Sequence, residues 1–296
     1  FLVMILTLKD YGPSWDETLH FSRGQAYLNF FLTGSKDYSN LSIPRRSFYQ
    51  FDYHSGDFWF KDNGGHPPVS DLLAALSNYI FYQSLGVLSD IHSYHLFNIL
   101  ASTLLVLIVV FFAAVTLGKF PALISGLTLF TYPLFFAESR FNVKDPAETA
   151  FFASTVFFFF LSIHKKSPKL LFLSFIFFGL GLGTKLNIIF LPVIIGLWLF
   201  FIYKYGIFKK FLKLPKRFWF TSLLGVIFVI SLFILSWPYL WENIPQKLIS
   251  VLKFYQDIGT ETNYQPQQFY IFGFNIFPIS WILFTTPPLV LFLSTI

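Results

Sequence analysis

Apolar runs of bilayer-spanning length dominate this chain. They fall at about 96 to 117, 121 to 137, 147 to 163, 169 to 183, 187 to 203, 218 to 238 and 277 to 296, bounded by charges, Gly or Pro. A helix needs about 20 apolar residues to cross the hydrocarbon core, and a backbone in lipid is satisfied only as a helix or a closed barrel. The expected fold class is all-α, a polytopic transmembrane helical bundle. Charged residues make up 12% of the chain, against about 25% in soluble domains. The net charge of +6 is diluted over sequence that is 55% hydrophobic, which excludes a disordered or nucleic-acid-binding chain. With no Cys, neither a thiolate nucleophile nor a Cys-zinc site is available.

The stretch from 169 to 203 exceeds one span, and Gly179, Gly181, Gly183 and Thr184-Lys185 divide it into two helices. The pattern predicts one membrane domain over 1–296, with an outer segment at 9–94 and six transmembrane helices within 96–238. An outer loop at 239–276 and the start of a further span at 277–296 follow. The apolar opening Phe1 to Leu8 is too short to cross a bilayer, and Ile296 falls inside an apolar run, so both ends read as cut. Lys119, Lys165, Lys166, Lys169 and the stretch from Lys204 to Arg217 hold ten of the 21 basic residues and no acidic one. All 15 acidic residues fall in 9–94, 138–148 and 239–276. Lys and Arg favour cytoplasmic loops, so the second set faces out and chemistry is expected there.

Two amphipathic helices are expected along the outer interface. One covers 15–33, with Leu19, Tyr27, Phe30 and Phe31 on one side and Gly34 stopping it. The other covers Val69 to Leu85, whose Ser70, Asp71, Ser77, Asn78 and Ser84 form a polar stripe.

Four clusters carry candidate chemistry. Ser14-Trp15-Asp16-Glu17 reads as a capping box, which accounts for Ser14 and Glu17 but leaves Asp16 unexplained. An acidic pair there could instead hold a general base at the membrane surface. Gly64-Gly65-His66-Pro67-Pro68 starts the second interfacial helix, its prolines suiting the first turn. His66 is either a solvated imidazole or a group that binds phosphate or polarises substrate. The loop from Glu138 to Pro146 places Arg140 and Asp145 on the outer face, where Arg can grip a phosphate in a bidentate pair, while Lys144 and Glu148 read as solvated turn residues. Gly183-Thr184-Lys185 sets a lysine between two apolar helices, where an ionisable group is a functional candidate and snorkelling is the plain account. The aromatics Trp59, Trp237, Tyr239, Trp241 and Tyr270 fit either an interfacial belt or sugar stacking.

The order of these clusters resembles the GT-C family of integral-membrane glycosyltransferases. It looks most like the branch of the dolichyl-phosphate-mannose protein O-mannosyltransferases and the lipid A aminoarabinose transferases. The likeness extends to Tyr264-Gln265-Pro266-Gln267-Gln268-Phe269-Tyr270 ahead of the last span. It implies transfer of a sugar from a polyprenyl-phosphate carrier to a protein, glycan or lipid acceptor outside the cytoplasm. Carried over by position, Asp16 would be the base, Glu17 its support and Asp145 the second acidic residue. Lys185 and Arg140 would hold the leaving phosphate, with His66 at the site's edge. No second nucleophile is evident, which implies a single inverting displacement. Gly65 stands where the aminoarabinose branch has an acidic residue, which argues against a metal site built there; no cofactor is named, and a divalent metal stays an open alternative. The outer loop of about 38 residues from Tyr239 to Ile276 lacks room for the large lumenal domain of the eukaryotic members, implying a prokaryotic plasma-membrane protein. The competing class is a transporter or flippase of lipid-linked substrates, which calls for charges or broken helices near the midplane. The runs at 96 to 117 and 218 to 238 contain no ionisable residue.

Overall fold

The computed structural model describes residues 1–38, 40, 42–51, 57–62, 65–204, 214–260 and 270–294. The stretch from Tyr264 to Phe269, Lys209, Lys210, Lys213, Gly64 and His54 lie outside the described residues.

A short helix, α1 (Leu2–Leu6), leads into α2 (Glu17–Thr33). The backbone N–H of Ser14 donates to Glu17 Oε2 at 2.7 Å, one half of the expected capping box. The other half is absent, because the Ser14 hydroxyl is directed to Asp16 Oδ1 and to the Phe141 carbonyl, each at 3.3 Å. Gly34 ends the helix in the left-handed region at φ 74°, its N–H returning to the Phe30 carbonyl. After α3 (Phe58–Lys61), Pro67 and Pro68 precede α4 (Val69–Asn78), which runs on as a π-helical stretch, Tyr79–Ser84.

The polar stripe of α4 faces protein. Ser70, Asp71 and Asn78 are fully buried, and Asn78 joins Gln25 of α2, Gln83 and Asp90 in one hydrogen-bonded network. Likewise α2 is enclosed over most of its circumference: Tyr27 is buried while Leu19 and Phe31 are exposed, so the four apolar residues grouped from sequence do not share one face of burial. Amide and carboxyl groups can sit inside because each finds a partner there.

Among the described residues, three helices are long and apolar enough to cross a membrane: α5 (Asp90–Thr116), α8 (Asp145–His164) and α11 (Lys216–Leu235). Between α5 and α8, α6 (Lys119–Thr131) and α7 (Pro133–Phe141) form a pair bent by 63°. Pro133 supplies the break that the run at 121 to 137 conceals. The divided run at 169 to 203 becomes α9 (Pro168–Leu182), a 3-10 turn at Leu186–Phe190 and α10 (Leu191–Lys204). Beyond α11 lie α12 (Ile244–Thr260), a two-stranded hairpin pairing Tyr270 with Asn275, and then α13 (Phe277–Thr285) and α14 (Pro288–Ser294).

The bundle is two-ended. At one end Ile163, Leu171 and Phe218 pack together beside the basic residues Lys165, Lys166, Lys169, Lys216 and Arg217. At the other end, a helix length of about 30 Å away along α8, α2 and α4 cross the starts of α5 and α8. Gly24 lets α2 pack closely on α4, since a Cβ there would lie 2.3 Å from the Asp71 carbonyl oxygen. The backbone N–H of Val69 donates to the Gly183 carbonyl at 2.7 Å, fastening the start of α4 to the end of α9.

Candidate active site

A cavity of about 520 Å³ opens where these helix ends meet. Asp16 lines it from just before α2, His20 and Arg23 from α2, His66 from the turn before α4, Asn142 and Lys144 from the link between α7 and α8, and Asp145 from the first residue of α8. Lys185, Trp59, Asp62 and Phe254 also line it, with Leu19 and Phe58. Of the six residues chosen from sequence, Asp16, Asp145, Lys185 and His66 therefore meet in one place.

The other two do not reach it. Glu17 is 1% exposed and turned away, held by His95 of α5 with Nε2 3.1 Å from Oε1. Burial raises its carboxyl above the usual range, against the pull of His95 and the Ser14 amide. Arg140 is fully buried on α7; it donates to Thr7 Oγ1 at 2.7 Å and to the Phe136 carbonyl, with its guanidinium over the Tyr11 ring. In this position Arg140 fastens the N-terminal segment to α7 and is sealed from any phosphate in the cavity.

Inside the cavity the charges are unevenly matched. Lys185 Nζ donates to Asp145 Oδ1 at 2.6 Å, and Asn142 Nδ2 donates to Asp145 Oδ2 at 3.0 Å. Arg23 Nε donates to Asp71 Oδ2 at 2.7 Å, both side chains being buried. Burial alone would raise the Asp71 carboxyl, but Arg23, His20 and Lys144 outweigh it and hold the group far below the usual carboxylate range. Arg23 Nη2 also lies 2.9 Å from His20 Nδ1. Asp71 Oδ1 lies 3.4 Å from the same nitrogen, and His20 Nε2 is 4.0 Å from Asp16 Oδ2. Burial, then Lys144, lowers His20 to about 4. The same two causes lower His66 to about 2, so it is a neutral hydrogen-bonding group; Tyr255 OH lies 3.4 Å from its Nδ1. Asp16 is an exposed carboxylate, its side chain 66% accessible, with Ser14 Oγ on one oxygen and His20 facing the other.

Lys144 is the residue that sequence reasoning passed over. It is 6% exposed, and among the described residues its Nζ has neither a hydrogen-bond partner nor an ion pair. Burial pulls it from the usual 10.5 down to about 7, with Asp71 opposing. A signal for its neighbours was present: Asp16, His20 and Arg23 stand at i, i+4 and i+7, one face of a helix. Of the aromatics, Trp59 forms part of the cavity wall, Trp237 and Tyr239 are packed in the core, and Trp241 and Tyr270 are exposed. Among the described residues no three His, Asp or Glu side chains converge in a metal-binding arrangement.

The helical architecture matches that of the crystal structure of ArnT from Cupriavidus metallidurans in the apo state, with a TM-score of 0.54 at 14% identity. The match covers 88% of this chain and 42% of that one, so the chain spans less than half the length of that protein. No curated protein matches. Residues 65–237 match the model of the dolichyl-phosphate-mannose-protein mannosyltransferase family, and the chain belongs to that family. The matched region contains His66, Arg140, Lys144, Asp145 and Lys185; Asp16 and Glu17 precede it.

Proposed function

We propose that this chain forms the core of a membrane enzyme that transfers a sugar from a polyprenyl-phosphate donor, dolichyl or undecaprenyl, to an acceptor hydroxyl. The observation that carries this reading is the cavity itself, where an exposed carboxylate faces lysines at the mouth of an apolar helical bundle. Asp16 takes the proton as the acceptor oxygen attacks the anomeric carbon. The bond from that carbon to the phosphate oxygen breaks, its electron pair stays on the phosphate, and the configuration inverts. A positioned base is worth about 10² to 10⁴ in rate, and cations on the departing oxygen add further stabilisation. Asp145 orients Lys185 toward that phosphate, and neutral His66 offers a hydrogen bond at the edge. Glu17 supports Asp16 indirectly by anchoring the start of α2 on α5, and Arg140 does the same for the N-terminal segment.

The sidedness of the basic residues supports an extracytoplasmic cavity in a prokaryotic plasma membrane. The acceptor is a protein, glycan or lipid. The test is to give full-length protein in sealed vesicles a panel of radiolabelled polyprenyl-phosphate sugars. Release or transfer of sugar supports the reading. Movement of intact donor across the bilayer without cleavage would overturn it in favour of a transporter.

A further inference from the structure

We infer that Lys144 is the seat of the donor's phosphate, and that the anion binds there together with a proton. The inference rests on the proposed cavity reading and deepens it, because it assigns the anion to a residue by its surroundings. None of the three cations chosen from sequence is suited to be the seat itself, although Lys185, paired with Asp145, lines the same cavity. Arg140 is enclosed against Thr7 and Tyr11, Lys185 is engaged by Asp145 at 2.6 Å, and His66 is neutral. Arg23 is matched by the buried Asp71. Lys144 alone among the cavity's lysines is buried with an unpartnered amine. Leaving a buried charged donor unsatisfied is costly unless a ligand of opposite charge completes it.

The chemical class follows from shape and position. Lys144 immediately precedes α8, a helix 20 residues long whose N-terminal dipole end favours negative charge. Asp16, Asp145 and Lys185 line the cavity with Lys144 and the membrane-length helices are apolar, which suits a phosphodiester on a long hydrocarbon tail.

Proton linkage follows from the groups that face Lys144. Asp71 of α4 and Asp145 of α8 favour its charge, whereas Arg23 of α2 and Lys185 after α9 oppose it. His20 and His66 stay neutral, and Glu148, one turn along α8, feels Lys144 as well. Burial dominates and holds the amine near the middle of its titration at neutral pH. A phosphate beside it restores the charged form, so binding takes up a proton and weakens as pH rises through about 7.

The experiment is calorimetry on full-length protein in nanodiscs from pH 6 to 9, in buffers of different ionisation heat. The probe is farnesyl methyl phosphate, a diester whose single charge does not titrate in this range. Dimethyl phosphate and farnesol serve as headgroup-only and tail-only arms. Expected are proton uptake near pH 7 and affinity that falls by up to tenfold per pH unit above it. Lys144→Met should weaken the diester by about 10- to 100-fold and abolish uptake, leaving farnesol unchanged. Lys144→Arg should retain affinity yet lose the uptake. Binding of dimethyl phosphate that also depends on Lys144 would support the seat and make phosphate alone its source of recognition. Wild-type affinity in Lys144→Met, an equal loss for farnesol, or binding without uptake would each overturn the inference. Asp16→Asn, run in parallel, separates the two readings. If it abolishes transfer while Lys144→Met binds normally, only the phosphate seat falls. If Lys144-dependent binding occurs and Asp16→Asn still transfers sugar, the assigned base falls and the seat stands.

Discussion

Asp16 and Glu17 are neighbours in sequence with opposite surroundings, and Arg140 and Lys144 repeat the contrast four residues apart. Glu17 and Arg140 belong to a packed wall where their charged groups are held by His95 and by Thr7 with the Phe136 carbonyl. Asp16 and Lys144 border the cavity, one exposed and the other buried with its amine unmatched. The wall uses charge to fix where helices cross. The cavity leaves the Lys144 amine without a partner, a place that a substrate can fill.

The contrast makes wall variants lose stability and cavity variants lose chemistry. The largest stability effect is expected for Asp71→Leu, which strands the buried Arg23 without its partner. Breaking such a pair costs about 3 to 5 kcal/mol, to be read as a lower midpoint of thermal unfolding. Gly24→Ala comes next, because its Cβ would press on the Asp71 carbonyl oxygen at 2.3 Å. Overpacking of this kind costs about 1 to 3 kcal/mol, and a Gly24→Ala protein as stable as wild type would contradict the close packing of α2 on α4.

Acid should act more gently. His20 is lowered from 6.5 to about 4 in the folded protein, so between those values the unfolded chain binds more protons than the folded one. Stability therefore rises with pH across that window and falls on acidification. Lys144 works in the same direction at higher pH. Its amine is lowered from 10.5 to about 7, so apo stability should climb between those values, and the climb should vanish in Lys144→Met. Smallest of all is Lys185→Met, whose partner Asp145 is 55% exposed. An accessible pair of this kind contributes about 0 to 1 kcal/mol, so unfolding should barely move while sugar transfer slows.

How much of this could be read without coordinates follows from which facts are local. Apolar runs, the divided stretch at 169 to 203 and the glycine stop at Gly34 depend on neighbours in sequence, and all of them reappear as helices or breaks. The convergence of Asp16, His66, Asp145 and Lys185 was implied by the order of motifs, which the family resemblance arranged in space. Lys144 was misread because a lysine in a short charged loop ordinarily faces water; here α2 and α4 cover it, which no local pattern records. Arg140 failed for the complementary reason. A residue near the end of the nine-residue α7 can face either side, and the Thr7 and Tyr11 contacts decide it. The polar stripe of α4 was legible as a stripe, but whether such a face meets water or buried amides depends on what packs over it. Gln25 and Gln83 are what it meets.

The most direct test compares Asp16→Asn with Glu17→Gln in one transfer assay, using full-length protein and a polyprenyl-phosphate sugar that the wild type consumes. The expected result is a loss of about 10² to 10⁴ in rate for Asp16→Asn with its thermal unfolding unchanged, while Glu17→Gln transfers sugar in proportion to its folded fraction. A fully active Asp16→Asn, or a folded Glu17→Gln that has lost transfer, would contradict the division between cavity and wall.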